Sequence, residues 1–148
     1  MKTLQEISDR LEIQDLITSY CYAIDNQDFD ALDDVFTEDA HIDYTATGGS
    51  KGSLPEIKVY LAQALKIFPG MQHFASNTIL KLEKDTASGE TMLFNPMVAE
   101  RDGEQVVFFI GARYIDRFER TEKGWRISNR AESLSYTHNI PEWFAPAS

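Results

Sequence analysis

Apolar residues in the first part of the chain recur every three to four positions. Leu4, Ile7 and Leu11, then Leu16, Ile17, Tyr20, Cys21 and Ile24 follow this spacing, which predicts an amphipathic helix over 4–24 with one buried face. Asn26, Gln27 and Asp28 interrupt the pattern. Phe29, Leu32, Val35 and Phe36 then resume it over a shorter second helix that Asp28 can cap, so the chain turns just after Asp25. From His41 to Thr47 the segment reads as a first strand with Ile42 and Tyr44 on one face, and Gly48, Gly49 and Gly52 mark a flexible loop behind it. Ser53 and Glu56 stand at capping-box spacing with Pro55 between them. Ile57, Tyr60, Leu61, Leu65 and Phe68 carry a third helix from there to the Pro69-Gly70 break.

The second half has a different grain. Four strand-like segments, 71–84, 89–101, 105–120 and 124–138, alternate with turn signals at Asp85 to Ser88, Asp102-Gly103 and Thr121 to Gly124. Asp-Gly is a strong short-hairpin signal, so the segments form an antiparallel meander. Helices first and hairpins afterwards predict an α+β fold, with three N-terminal helices packed in a strongly curved antiparallel sheet. The segments exceed the usual strand length of about 5 to 6 residues, as a bent, bulged sheet requires. No internal repeat or linker divides residues 1–148, and one domain is expected.

Composition narrows the function more than the fold. A chain of 148 residues with a hydrophobic fraction of 43% can bury a core without disulfides or metal. No stretch approaches the roughly 20 apolar residues that span a bilayer, so a soluble protein with no membrane partner is expected. The N-terminus lacks the apolar core of a secretory signal, which leaves the cytoplasm as the default location. Net charge is -10 and the sequence pI about 4.6, which repels phosphate backbones, and no Lys/Arg cluster with interleaved aromatics is present. Nucleic acid is therefore not an expected partner. The acidic residues are scattered as on a solvated surface. Cys21 is the single cysteine and sits among apolar helix residues, the setting of a buried structural thiol.

A sheet curled over helices leaves a pocket wherever its inner face is not filled. Two residues near the end of the first helix and the start of the long sheet would line its mouth, Asp25 and His73. Alone, Asp25 also reads as a helix-terminating residue whose carboxylate caps the following turn, and His73 as a buried histidine satisfied by a carbonyl. Together they would form a proton-transfer pair, in which imidazole removes a proton with one nitrogen while the carboxylate holds the other. His41, His73 and His138 lie in separate strands with no ligand-like spacing, so no metal is expected. Gly48-Gly49-Ser50-Lys51-Gly52 matches neither a dinucleotide fingerprint nor a P-loop, no nucleophile elbow is present, and no cofactor is expected.

Several short motifs, weak singly but ordered along nearly the whole chain, carry a family resemblance. They are Ile13-Gln-Asp-Leu16, Asp25 followed by Asp28-Phe29-Asp30-Ala-Leu32, Ile42-Asp43-Tyr44, Gln72-His73-Phe74, Gly124-Trp125-Arg126-Ile127-Ser128 and a terminal Phe144-Ala-Pro146. In these the sequence resembles the SnoaL-like branch of the nuclear-transport-factor-2-like (NTF2-like) superfamily, the group that includes scytalone dehydratase, lindane dehydrochlorinase and bile-acid 7α-dehydratase. The resemblance implies an α+β cone, a trimer, and a catalytic dyad falling on Asp25 and His73. It places Tyr20 where the dehydrochlorinase has a lysine and the bile-acid enzyme a tyrosine. A phenol can protonate a departing hydroxyl, so Tyr20 favours loss of water over loss of halide, although a core aromatic with its hydroxyl at the rim fits the position equally. Tyr44 matches a leaving-group tyrosine of scytalone dehydratase, while Ile24 replaces that enzyme's other one. Arg130 aligns with a pocket arginine, where it could bind a carbonyl or developing anion, or else form a structural salt bridge. Phe68 and Met71 would supply apolar wall against the substrate.

The resulting expectation is a cofactor-independent dehydratase acting on an apolar cyclic or polyketide-like molecule. His73 would be the base, Asp25 its orienting carboxylate, and Tyr20 or Tyr44 the leaving-group acid. Isomerisation, cyclisation or dehydrohalogenation by the same dyad are variants. The competing expectation is a non-catalytic binding or oligomerisation module, since one fold hosts many functions. Homo-oligomerisation is expected through an outer sheet face exposing Val106, Phe108 or Ile110.

Overall fold

The structure is a computed structural model, described here for residues 1–144. Helix α1 spans Leu4–Asp25 and begins on a capping box in which the Thr3 hydroxyl and the Glu6 carboxylate exchange bonds with each other's backbone N–H groups. A 3-10 turn, Asp30–Asp34, leads into β1 (Phe36–Asp43), and a second, Thr45–Thr47, leads into β2 (Lys51–Ser53). Helix α2 covers Leu54–Ala64 and starts on the expected Ser53/Glu56 capping box. Five strands follow: β3 (Gly70–Met71), β4 (Phe74–Glu83), β5 (Thr86–Arg101), β6 (Glu104–Thr121) and β7 (Gly124–His138). They join β1 and β2 in one curved, unclosed sheet of order β2-β1-β7-β6-β5, with β3 and β4 both paired to β5.

This mixed helix-and-sheet cone matches the expected class, but four local expectations give way. The second helix shrinks to the short 3-10 turn because Val35 and Phe36, β-branched and aromatic, are drawn into the sheet. The Val35 carbonyl accepts from the Ile127 N–H, and Phe36 pairs with Ile127. The first strand accordingly starts at Phe36, and residues 45–47 are helical. The sheet is not wholly antiparallel, since β1 runs parallel to β7. Finally, β5 begins at Thr86 rather than Gly89, because Lys84 adopts a positive φ of 38° and closes a turn tight enough to pair Glu83 with Thr86.

In α1 the buried side chains are Ile13, Leu16, Ile17, Tyr20, Cys21, Ala23 and Ile24, packed into the sheet. Leu4, Ile7 and Leu11 are exposed instead. At 3.6 residues per turn they fall on the side of α1 opposite that stripe, and Asp9 takes the inward position. Its carboxylate receives both terminal nitrogens of Arg120, at 2.8 and 2.9 Å, and the Trp125 indole N–H at 3.0 Å. These donors, Arg120 first, hold the Asp9 carboxyl far below the usual carboxylate range and pin α1 to the β6–β7 hairpin.

On β6 the inward set is even-numbered. Phe108, Ala112, Tyr114, Asp116 and Phe118 are buried, and Val106 and Ile110 are partly covered. The expected outer residues were thus taken from the wrong face; Val107 and Ile115 point outward, with Phe74, Met92, Phe94 and Tyr136 exposed on the same side of other strands. Inside, Met97, Ala99 and Phe108 form a second, smaller cluster, capped by Phe68 and by Phe144 of a final 3-10 turn.

Candidate active site

Asp25 is the last residue of α1, and His73 occupies a break in the strand expected over 71–84. Met71 pairs with Met97 and Phe74 with Phe94, so Gln72 and His73 lie outside both ladders. Pro96 sits opposite this break. Its carbonyl accepts from the Gln72 N–H at 3.0 Å, while the Asn95 side-chain amide donates to the Gln72 carbonyl at 2.8 Å. One Asp25 carboxylate oxygen takes the freed His73 backbone N–H at 2.9 Å, and the other lies 2.6 Å from His73 Nδ1. With Nδ1–H donating to the carboxylate, Nε2 is left with its lone pair. The two side chains are only 24% and 10% exposed. They face a pocket of about 520 Å³ shared with Cys21, Tyr22, Met71 and Phe74.

A second polar cluster is buried beside the first. The Tyr20 and Tyr44 hydroxyls meet at 2.6 Å. Burial pushes the Tyr20 phenol up to about 12 and Tyr44 well above the ordinary range, against the opposing field of Arg130, so both keep their protons at neutral pH. The Arg130 guanidinium is wedged between the rings of Tyr20 and Tyr114, 4.1 and 3.8 Å from their centroids. Burial by itself would lower its pKa, but Asp116 overrides that and raises it well above the usual arginine value. Asp116 accepts its Nε at 2.8 Å and Nη2 at 2.7 Å, both side chains being fully enclosed, and Nη1 has no protein partner.

Of the residues singled out from sequence, Asp25, His73 and Met71 line one pocket, Tyr20, Tyr44 and Arg130 share the neighbouring buried cluster, and Phe68 belongs to the smaller apolar cluster, stacked on Phe144 at 5.3 Å. Cys21 links the first two. Its thiol, buried and pushed up by desolvation, feels both Arg130 and Asp25. Ala145 and Pro146 of the terminal motif lie outside the described residues. Among the described residues no group of three or more His, Cys, Asp or Glu side chains could hold a metal ion, and no helix is long and apolar enough to cross a membrane.

Two participants escaped the sequence reading. Asp116 was hidden in an amphipathic strand, and its only signal was a carboxylate at an inward position of β6. Glu132 follows Arg130 by two positions on β7, which places it on the same face. The Thr47 hydroxyl donates to its Oε2, and burial pushes its carboxyl up to about 7.

With this geometry in place, comparison with known proteins identifies the family. Residues 5–131 match the SnoaL-like domain, and the chain belongs to that family. It is 50% identical to an uncharacterised protein of Mycobacterium tuberculosis over 136 residues, 92% of each chain. It is 27% identical to the gamma-hexachlorocyclohexane dehydrochlorinase of Sphingobium indicum over 141 residues, 92% of this chain and 86% of that one. Among solved structures it resembles a Kribbella flavida protein, with a TM-score of 0.82 at 23% identity over 90% of this chain and 95% of that one. A scytalone dehydratase-like protein from Novosphingobium aromaticivorans gives 0.80 at 18% identity over 92% and 90%. At such identities the two structures establish the NTF2-like fold alone.

Proposed function

We propose that this chain is a cofactor-independent lyase that removes water from an apolar cyclic or polyketide-like small molecule. The observation that carries the reading is the 2.6 Å contact between His73 Nδ1 and Asp25 at the edge of a pocket. A carboxylate there fixes the tautomer, leaves Nε2 to take a carbon-bound proton, and stabilises the imidazolium that results. Hydroxide is a poor leaving group unless protonated. The Tyr20–Tyr44 pair, held protonated by burial, is the neighbouring donor, and Arg130 stands ready to stabilise the phenolate left behind. Tyr22, Met71 and Phe74 supply the apolar wall for a ring system, beside the polar Thr18, Asn26, Gln72 and Ser76. We place the enzyme in the cytoplasm as a homotrimer.

The dehydrochlorinase relative, matched over most of the chain, supports elimination of halide as a variant of the same chemistry. A chloride leaves without a proton, so it would not need the phenols. The test is a screen against cyclic β-hydroxy ketones and their β-chloro counterparts, with and without chelator. His73→Ala should lower turnover by about 10² to 10⁴ and Asp25→Asn should impair it severely, with the fold intact by circular dichroism. Tyr20→Phe should cost more with hydroxyl than with chloride leaving groups. A folded His73→Ala protein with near-normal rates would make the binding-module reading the better one.

A further inference from the structure

The gap between β3 and β4 does not shift their pairing with β5. Met71 lies opposite Met97 and Phe74 opposite Phe94, so one register carries across the gap and sets Gln72 opposite Pro96 and His73 opposite Asn95. In an antiparallel ladder, two residues opposed as a hydrogen-bonded pair exchange two bonds, each N–H donating to the other's carbonyl. Gln72 and Pro96 make one of these, from the Gln72 N–H to the Pro96 carbonyl at 3.0 Å. The other cannot form, because proline has no N–H. The Asn95 side-chain amide takes its place and donates to the Gln72 carbonyl at 2.8 Å. Asn95 is only 5% exposed, and Leu93, Met97 and Ala99, its neighbours on that face of β5, are buried and apolar. A polar side chain in such a row needs a partner, and the Gln72 carbonyl supplies it.

His73 is the next residue along. Successive residues of a ladder aim their N–H groups to alternate sides, so His73 turns its own away from β5 and toward α1. There one Asp25 oxygen accepts it at 2.9 Å, while the other lies 2.6 Å from Nδ1. We propose that Asn95 is a positioning residue for His73: its amide replaces the donor that Pro96 lacks, completes the Gln72–Pro96 pair, and so fixes the backbone from which the imidazole meets Asp25. The proposal rests on the lyase reading. The bond from Asn95 goes to the Gln72 main chain, so it acts on the dyad through the backbone. With that anchor gone, Asp25 would have to hold the chain as well as orient the ring, and the Nδ1 contact would loosen. Proton abstraction is sensitive to such loosening, since a misplacement of about 1 Å can cost on the order of 10²-fold in rate.

The rival explanation is that Asn95 only satisfies a carbonyl and fastens β3, with no effect on the dyad. Asn95→Leu keeps the volume and removes the donor, and Asn95→Ala removes it without bulk. Pro96→Ala restores a main-chain N–H opposite Gln72, so the double variant Asn95→Leu with Pro96→Ala regains the bond from a different atom. In the ligand-free wild-type protein, nitrogen-15 NMR of the neutral His73 imidazole should show its proton on Nδ1. Both single variants should move population to the Nε2–H tautomer, because the partner of one ring nitrogen decides which of the two carries the proton. The double variant should return it to Nδ1. In turnover of a β-hydroxy ketone, the single variants should lose roughly tenfold to a hundredfold in kcat with KM little changed, and the double variant should recover most of that loss. A wild-type tautomer in both single variants would overturn the proposal and leave Asn95 as a latch for β3. A double variant as impaired as Asn95→Leu would overturn it in favour of packing. Because the tautomer is read without substrate, variants that shift it as described in a protein that dehydrates nothing would instead overturn the lyase reading.

Discussion

Asp116→Asn removes a charge without changing shape, and the structure sets what that should cost. Arg130 and Asp116 both lie out of contact with water, joined by bonds of 2.8 and 2.7 Å, and Nη1 has no protein partner. Removing one partner of such a pair strands a buried charge, at a typical cost of about 3–5 kcal/mol. Asparagine can still accept one of the two bonds. The Tyr20 and Tyr114 faces at 4.1 and 3.8 Å retain a cation–π attraction worth roughly 2 kcal/mol when desolvated. The expected loss is therefore near the lower bound, about 3 kcal/mol, or roughly 10 °C in Tm for a chain of this size. Urea unfolding at pH 7, followed by far-ultraviolet circular dichroism and tryptophan fluorescence, measures it. The double replacement Asp116→Leu with Arg130→Met should recover most of the loss, since apolar side chains of similar volume replace buried ion pairs at little cost. A loss under about 1 kcal/mol for Asp116→Asn, or a double variant no more stable than the single, would show that Arg130 is not the enclosed, singly compensated cation described above.

Two further expectations concern pH and assembly. The Glu132 carboxyl moves from 4.5 to about 7 on folding, so the native state holds its proton more tightly and stability declines as pH rises across that window. Full burial would make the loss about 3 kcal/mol, and its partial exposure trims this toward about 2. Glu132→Gln should abolish the decline and raise the relative Tm at pH 8; an unchanged slope between pH 4.5 and 7 would contradict the shift. The outer sheet face carries Phe74, Met92, Phe94, Val107 and Tyr136 exposed in the single chain, a patch suited to other copies of the protein. Light scattering should give three times the 16.8 kDa chain mass, and Phe94→Lys should shift it to monomer; a wild-type monomer at all concentrations would exclude the trimer.

Features governed by neighbours in the chain could be read without coordinates. The Ser53/Glu56 capping box is present, Asp102 and Gly103 take the positive φ values of 54° and 81° that a two-residue hairpin demands, and α1 ends at Asp25. Periodicity found the buried stripe from Leu16 to Ile24 but not its limit. Leu4, Ile7 and Leu11 have the same spacing in opposite phase, and only docking against β6 and β7 decided that Asp9 would turn inward to Arg120 and Trp125. Likewise, alternation along β6 defined two faces but not which one meets the core, because a shift of one residue exchanges them. The parallel pairing of β1 with β7 depends on how the sheet curls, a long-range outcome with no local signal. The same division holds at the site. Asp25 and His73 could be named from the sequence and its family resemblance. Their contact across 48 positions depends on the strand break opposite Pro96, which frees the His73 N–H to bind the carboxylate. Asp116 and Glu132 look like ordinary surface acids in sequence. Enclosure by three strands and α1 makes one the counter-charge of a buried arginine and raises the other toward neutrality, because desolvation is a property of the folded surroundings and not of the residue.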